Sequence, residues 1–189
     1  DPGSLHSITL GEHEIGKAIS KLKNAKAVGI DNIPGEFLKN CDISVQHALL
    51  DVFSHIKLLE VIPSEWGEGI VKPLHKDGHR EVLNNYRGIT ISSVAYKTLV
   101  IIMETQIMEY LEEHDVFGES QGTFRKGRRC EDHLFTMKGI CSIRKSKKQR
   151  TYLAFLDISK AFDKLDRTRL FHHIHTKGIQ GKAWAMVKM

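Results

Sequence analysis

Thr151-Tyr152-Leu153-Ala154-Phe155-Leu156-Asp157-Ile158-Ser159-Lys160-Ala161-Phe162-Asp163 changes character at one residue. Up to Leu156 the run is apolar and β-prone, and residues 151–157 read as a buried strand. At Asp157 the chain turns polar. A carboxylate at the end of an apolar strand is costly to bury alone. It can cap the turn, as Asp commonly does, or it can partner a divalent cation, and an oxygen-rich site with phosphates suits Mg²⁺. The five-residue step to Phe162 bears on that choice. If the residues after Asp157 curl into a helical turn, the ring returns beneath the space beside the carboxylate. There it would floor a sugar pocket and clash with a ribose 2′-OH, selecting deoxynucleotides by exclusion. A ring simply packed in the core is the other reading. Asp163 reads as a cap for the next helix or a partner for Lys or Arg.

Ile15, Ala18, Ile19 and Leu22 recur at helical spacing, predicting a helix over 13–26. Gly29 to Pro34 supply the turn formers that end it. A short helix over 35–40 follows Pro34, and Ser44 is the expected cap of a longer one over 45–59. Residues 69–76 read as a strand with Pro73 marking an edge, and 87–91 as the strand that returns. Their polar connection, 77–86, exceeds a tight hairpin loop and is expected to be mobile. Helices are predicted over 94–114, 131–143 (basic and amphipathic), 167–176 and 181–189. A mobile basic loop is expected over 145–150. The pattern is α+β, mainly helical, with one late core strand.

Composition narrows the classes without choosing one. A chain of 189 residues, 41% hydrophobic and 27% charged, can bury one ordinary core. Its most apolar stretch, 94–108, is interrupted by Lys97, Glu104 and Gln106, well short of the roughly 18 uninterrupted apolar residues of a membrane span. Three cysteines, Cys41, Cys130 and Cys141, without CxxC spacing argue against a disulfide framework and for a reducing, intracellular setting. Asp1-Pro2-Gly3-Ser4 shows neither an initiator Met nor a signal-peptide pattern, so the first residue is expected to be a cut. The net charge of +5 and pI near 9.1 are compatible with a polyanionic partner. The charge is concentrated: residues 122–150 hold ten Lys/Arg against two acids, Glu131 and Asp132. His172, His173 and His175 have no Cys or acidic ligand at zinc-site spacing, and neighbours on a helix point apart.

Asp157-x-x-x-Ala161-Phe162-Asp163, preceded by Phe155-Leu156, resembles motif A of LINE-type (non-LTR retrotransposon) reverse transcriptases. Four further blocks resemble that family in matching order. Lys26-Ala27-Val28-Gly29-Ile30-Asp31-Asn32-Ile33-Pro34 is similar to its Lys-Ala-Pro-Gly-Pro-Asp-Gly-Ile-Pro opening, and Ile70-Val71-Lys72-Pro73-Leu74-His75-Lys76 to its Pro-Ile-x-Lys strand. Asn84-Asn85-Tyr86-Arg87-Gly88-Ile89 resembles Asn-Tyr-Arg-Pro-Ile, and Gln121-Gly122-Thr123-Phe124-Arg125-Lys126-Gly127-Arg128 resembles Gln-x-Gly-Phe-Arg-Lys-Gly-Arg. The departures sit in turns: Val28, Ile30 and Gly88 stand where the family has proline, Asn32 and Thr123 where it has glycine. None removes a metal ligand.

The resemblance implies a partial right-hand polymerase fold, with a helical N-terminal region over 1–60, fingers with a short β-hairpin over 61–150, and the first palm strand with motif A over 151–189. It implies an RNA-directed DNA polymerase acting on an RNA template, a DNA primer and dNTPs, within a retrotransposon polyprotein. Nucleus and cytoplasm are the implied locations; the sequence carries no clear targeting signal. Asp157 becomes the catalytic carboxylate, Asp157 and Ile158 the Mg²⁺ positions, and Ile158 and Phe162 part of the nucleotide pocket. Lys76 and Arg87 would hold the triphosphate, Arg87 bidentately and Lys76 as a point charge, with Lys72 competing for the latter role. Arg125, Lys126, Arg128 and Arg129 would lie against the phosphates of template and primer. Two-metal transfer needs a second carboxylate station, which the family places in an Ala-Asp-Asp hairpin further on. The 189 residues hold no such pair, so the polypeptide is expected to be truncated before it and inactive alone. An unpaired palm strand would also leave apolar surface exposed. A non-catalytic nucleic-acid-binding remnant of a decayed or domesticated element, or a group II intron maturase relative, are the alternatives.

Overall fold

The computed structural model describes residues 3–189, which leaves the expected cut at Asp1 outside its reach. Seven helices and one hairpin follow in the order α1 (Glu12–Lys21), α2 (Gly35–Asn40), α3 (Ile43–Leu59), β1 (Ile70–His75), β2 (Tyr86–Ile91), α4 (Val94–Glu113), α5 (Cys130–Ser146), α6 (Arg167–Thr176) and α7 (Gly181–Lys188). No helix among the described residues is long and apolar enough to cross a membrane.

The core is helical, and its centre is α1. Ile15, Ala18 and Ile19 of α1, with Leu22 just beyond it, are buried against Phe53 and Ile56 of α3 and against Leu99 and Ile102 of α4. The helix stops at Lys21, short of the expected 26. Leu22 leaves in an extended conformation, Ala25 takes a left-handed φ of 53°, and the Glu36 carboxylate accepts from the Ala25 amide. Helix α3 starts one turn-residue before its expected cap: Asp42, not Ser44, is the N-cap, accepting from the Ser44 amide at 2.9 Å. Helix α4 is capped by Ser93, which accepts from the Tyr96 amide at 3.2 Å.

The two ends of the chain meet on this core. Leu5 bridges Ile179 in parallel, its amide donating to Gly178 O at 2.8 Å and its carbonyl accepting from Gln180 at 2.9 Å. The Tyr110 hydroxyl lies 2.7 Å from Gly3 O and 3.2 Å from Lys177 O. Gly178 has φ +92°, and a Cβ there would stand 2.0 Å from that hydroxyl, so both backbone and space require glycine. Helices α6 and α7 are thereby returned to the N-terminal layer, with Ile179, Ala183 and Met186 buried.

The hairpin stands off the core, with nearly every residue exposed. Its antiparallel register pairs Ile70 with Ile91, Lys72 with Ile89, Leu74 with Arg87 and His75 with Tyr86. The connection expected to be mobile is pinned: Lys76 N donates to Asn85 O at 2.8 Å, the Asn85 side chain to His79 O at 2.8 Å, and the Tyr86 hydroxyl to Arg80 O at 2.9 Å. The basic segment after α5 is likewise folded back, with the Arg144 guanidinium donating to Arg150 O at 2.7 Å.

The palm strand expected over 151–157 does not form. The described residues contain one sheet, of two strands, and residues 151–158 belong to neither. The reason is the absence of a partner: β-prone side chains stabilise a ladder only when another strand supplies the hydrogen bonds and a face to pack on. Leu156 is 95% exposed, and Tyr152 and Phe155 are 85% and 80% exposed. Helix α5 is similarly bare, with no buried residue and with Phe135 and Ile143 in solvent. The α+β, mainly helical class holds, with the hairpin as its only sheet among the described residues.

Candidate nucleotide and nucleic-acid sites

Asp157 is exposed, stands in no ion pair among the described residues, and is followed by turns over residues 159–164. Lys160 takes a left-handed φ of 53°, and its carbonyl accepts from the Lys164 amide at 3.1 Å, closing a turn that begins three residues beyond Asp157. The Lys160 ammonium donates to Asn84 Oδ1 at 3.1 Å, which ties this turn to the far end of the hairpin. Ile158 and Phe162 lie in solvent, the latter 84% exposed, so the pocket that Phe162 would floor is not assembled here. Asp163 caps nothing; the N-cap of α6 is Asp166, which accepts from the Arg169 amide at 3.1 Å.

Strand alternation and register sort the hairpin cations. Lys72 and Leu74 alternate onto one face of β1, the pairing of Leu74 with Arg87 puts Arg87 on that same face, and Lys76 follows the last residue of the strand. The three cations then divide along its length. Lys76 bonds Asn85 beside the Lys160–Asn84 contact, at the end nearest Asp157. Lys72 lies towards the opposite end and lines a cleft of about 580 Å³ between the hairpin, the segment after α1 and the start of α4. Lys23, Lys26 and Lys97 line the same cleft, and no acidic side chain does. Sequence reading missed this grouping, although Lys26 opens one of its motifs.

Arg125 does not face outward with its basic neighbours. Its side chain is 8% exposed, and it grips Glu112 through two hydrogen bonds, Nε to Oε1 at 2.9 Å and Nη2 to Oε2 at 2.7 Å. Nη1 donates to Gly118 O at 3.1 Å, and the guanidinium lies 5.4 Å from the Phe117 ring centroid. Those donors are committed within the protein, so Arg125 holds the loop between α4 and α5 while Lys126, Arg128 and Arg129 remain exposed. Arg128 pairs with Glu119 at 2.7 Å on the surface.

The Arg125 hydrogen bonds hold the Glu112 carboxyl below its ordinary pKa. A carboxylate whose folded pKa is depressed contributes stability that is complete above its unfolded value, about 4.3, and that is lost as pH falls through the folded value. Arg125→Ala therefore lowers Tm at neutral pH, and the gap between variant and parent closes as pH drops below about 4. Thermal melts across pH 3–7 check this; a constant gap would contradict it.

As to metals, Asp157 and a neighbouring carbonyl are hard oxygen donors of the type Mg²⁺ takes. One exposed carboxylate does not complete a site, and no group of three or more His, Cys, Asp or Glu among the described residues could hold an ion. The donor type fits; the donor number does not.

Comparison with known proteins bears on the same region. The family described as Reverse transcriptase (RNA-dependent DNA polymerase) matches residues 74–188, from β1 through the Asp157 turn to the last helix. Over 153 residues the chain is 28% identical to the Probable RNA-directed DNA polymerase from transposon X-element of Drosophila melanogaster, covering 80% of this chain and 17% of that protein. The chain thus spans about a sixth of the length of the curated relative it matches.

Proposed function

The chain belongs to the reverse transcriptase (RNA-dependent DNA polymerase) family, and from that premise we propose that it is the fingers and motif-A region of a non-LTR retrotransposon polymerase. The observation that carries the reading is the family match across 74–188, which takes in Lys76, Arg87 and the Asp157 turn. In this reading Asp157 and, since its side chain is apolar, the main-chain carbonyl of Ile158 hold Mg²⁺ once a second carboxylate station is supplied. Asp157 would be one of the groups that hold the metal, whose chemistry in such a site would be electrostatic stabilisation of nucleotidyl transfer. Arg87, paired with Leu74, and Lys76, just beyond β1, lie towards the end of the hairpin that Lys160 contacts through Asn84, where cations would stabilise the charge that develops on departing pyrophosphate. Phe162 would exclude a ribose 2′-OH when the pocket closes around it. RNA template, DNA primer and dNTPs are the partners, with the remainder of a transposon polyprotein as context.

The 189 residues contain no Asp-Asp pair after Asp157. Polypeptide 1–189 in primer extension on an RNA template with Mg²⁺ is therefore expected to incorporate no dNTP. A chimera that continues it with the C-terminal polymerase portion of the X-element relative is expected to incorporate dNTPs. Activity of 1–189 by itself would overturn the need for a second station. A well-folded chimera that binds primer–template and stays inert would favour the non-catalytic binding remnant.

A further inference from the structure

Asp157 and Asp163 each lie three residues from Lys160 in the chain, yet Lys160 is in no ion pair among the described residues. Its ammonium donates instead to Asn84 Oδ1 at 3.1 Å, across 76 residues of chain. Among the described residues no other hydrogen bond joins residues 151–164 to the rest of the chain, and 151–158 belong to no strand. The Asp157 turn is therefore tied to the hairpin at one point, and both sides of that point are stiff. On the turn, the left-handed Lys160 is closed by its bond to the Lys164 amide. On the hairpin, Asn84 is the middle residue of the short turn Leu83–Asn85 that leads into β2. Its neighbour Asn85 accepts from Lys76 N at 2.8 Å, donates its amide to Val82 O at 3.0 Å, and donates its side chain to His79 O at 2.8 Å. A Cβ on Gly78 would stand 2.6 Å from Asn85 Nδ2, so the loop packs directly on that side chain.

We propose that Lys160 and Asn84 are positioning residues for nucleotidyl transfer, their contact holding the carboxylate of Asp157 in register with Lys76 and Arg87. Lys160 stands three residues after Asp157, and Asn84 three residues before Arg87. One hydrogen bond thus links the two stations that a single dNTP has to span. An exposed contact of this kind contributes little to folding, so its effect is geometric. A misplacement of about 1 Å between reacting groups costs roughly 10²-fold in rate, and nothing else among the described hydrogen bonds fixes this separation. The ammonium of Lys160 is engaged by a neutral amide oxygen, which sets it apart from Lys76 as a cation for phosphate. The inference rests on the polymerase reading of Asp157, Lys76 and Arg87, and in it neither Lys160 nor Asn84 touches a reacting atom.

Two measurements test it, one of them independent of activity. In polypeptide 1–189, Asn84→Ala is expected to speed hydrogen–deuterium exchange across residues 159–164 while α4 exchanges as in the parent. Unchanged exchange in the turn would overturn the tie. In the chimera, Asn84→Ala and Lys160→Met are each expected to lower kcat by about tenfold to a hundredfold, with primer–template affinity and Tm unchanged. The double variant is expected to lose no more than either single one, since the two side chains act through one contact. Lys160→Arg keeps a donor and Asn84→Asp an acceptor, and each is expected to retain most of the parent rate. A loss with Lys160→Met that Asn84→Ala does not share would make Lys160 a direct phosphate ligand and overturn the positioning role. Additive losses, or a fall in Tm that accounts for the lost rate, would overturn it too. An inert parent chimera removes the polymerase reading and the catalytic role with it, whatever the exchange shows. An active chimera indifferent to Asn84→Ala removes the positioning role alone.

Discussion

Asp157→Ala in the chimera is expected to lower dNTP incorporation by about a hundred- to a thousand-fold while leaving oligonucleotide affinity within about twofold, since loss of one preorganised electrostatic partner of a transition state costs roughly 10²–10³ in kcat. Asp157 is exposed, forms no ion pair among the described residues, and caps no helix, that role falling to Asp166. Its removal therefore disturbs no visible structural contact, and a loss of activity reports on chemistry. Affinity is expected to remain because Lys126 and Arg129, which are exposed, stand well apart from Asp157 in the chain. Retention of incorporation within about tenfold would remove Asp157 from the metal site. A parallel loss of binding and Tm would instead make it structural.

The sequence was most legible where the deciding interactions are local. Helices α2 and α6 fall on their expected spans because Pro34 and Asp166 set their starts within a turn of the residues they govern. The hairpin was legible from β-prone runs on either side of Asp77-Gly78, and Gly78 does take the positive φ, +75°, that its residue type suggests. The failures are non-local. Residues 151–157 carry every side-chain property of a strand, yet a ladder needs a second strand, and composition says nothing of whether one is within reach. Arg125 sits among basic neighbours and reads as one more phosphate ligand; only the fold shows Glu112 thirteen residues upstream pointing back at it. The cleft was invisible for the same reason, since Lys26, Lys72 and Lys97 share no local pattern until the hairpin is laid beside α4.

Phe53→Ala is expected to cost about 3–5 kcal/mol of folding stability, the range for a large aromatic removed from a closed core. Phe53 is fully buried, and its ring meets Trp66 edge-on with centroids 6.1 Å apart and planes at 73°; Trp66 in turn lies 5.9 Å from Tyr96. The chain of rings joins α3 to the turn over Ser64–Gly67 and to α4, and that turn leads directly into β1. Truncation leaves a cavity between helices whose other contacts hold them apart, so collapse recovers little. Against a total of about 5–15 kcal/mol for an ordinary domain, the loss is a large fraction. Urea titrations should show a lower midpoint with an unchanged slope, the signature of altered stability without altered compactness. Phe53→Leu, which keeps most of the volume, is expected to recover more than half of the difference. Because the hairpin is anchored to the core through the Trp66 turn, oligonucleotide binding by Phe53→Ala should fail at temperatures where the parent still binds, and return on cooling. A cost below about 1 kcal/mol would mean that α3 and α4 close over the gap, and that the ring chain does not support the hairpin.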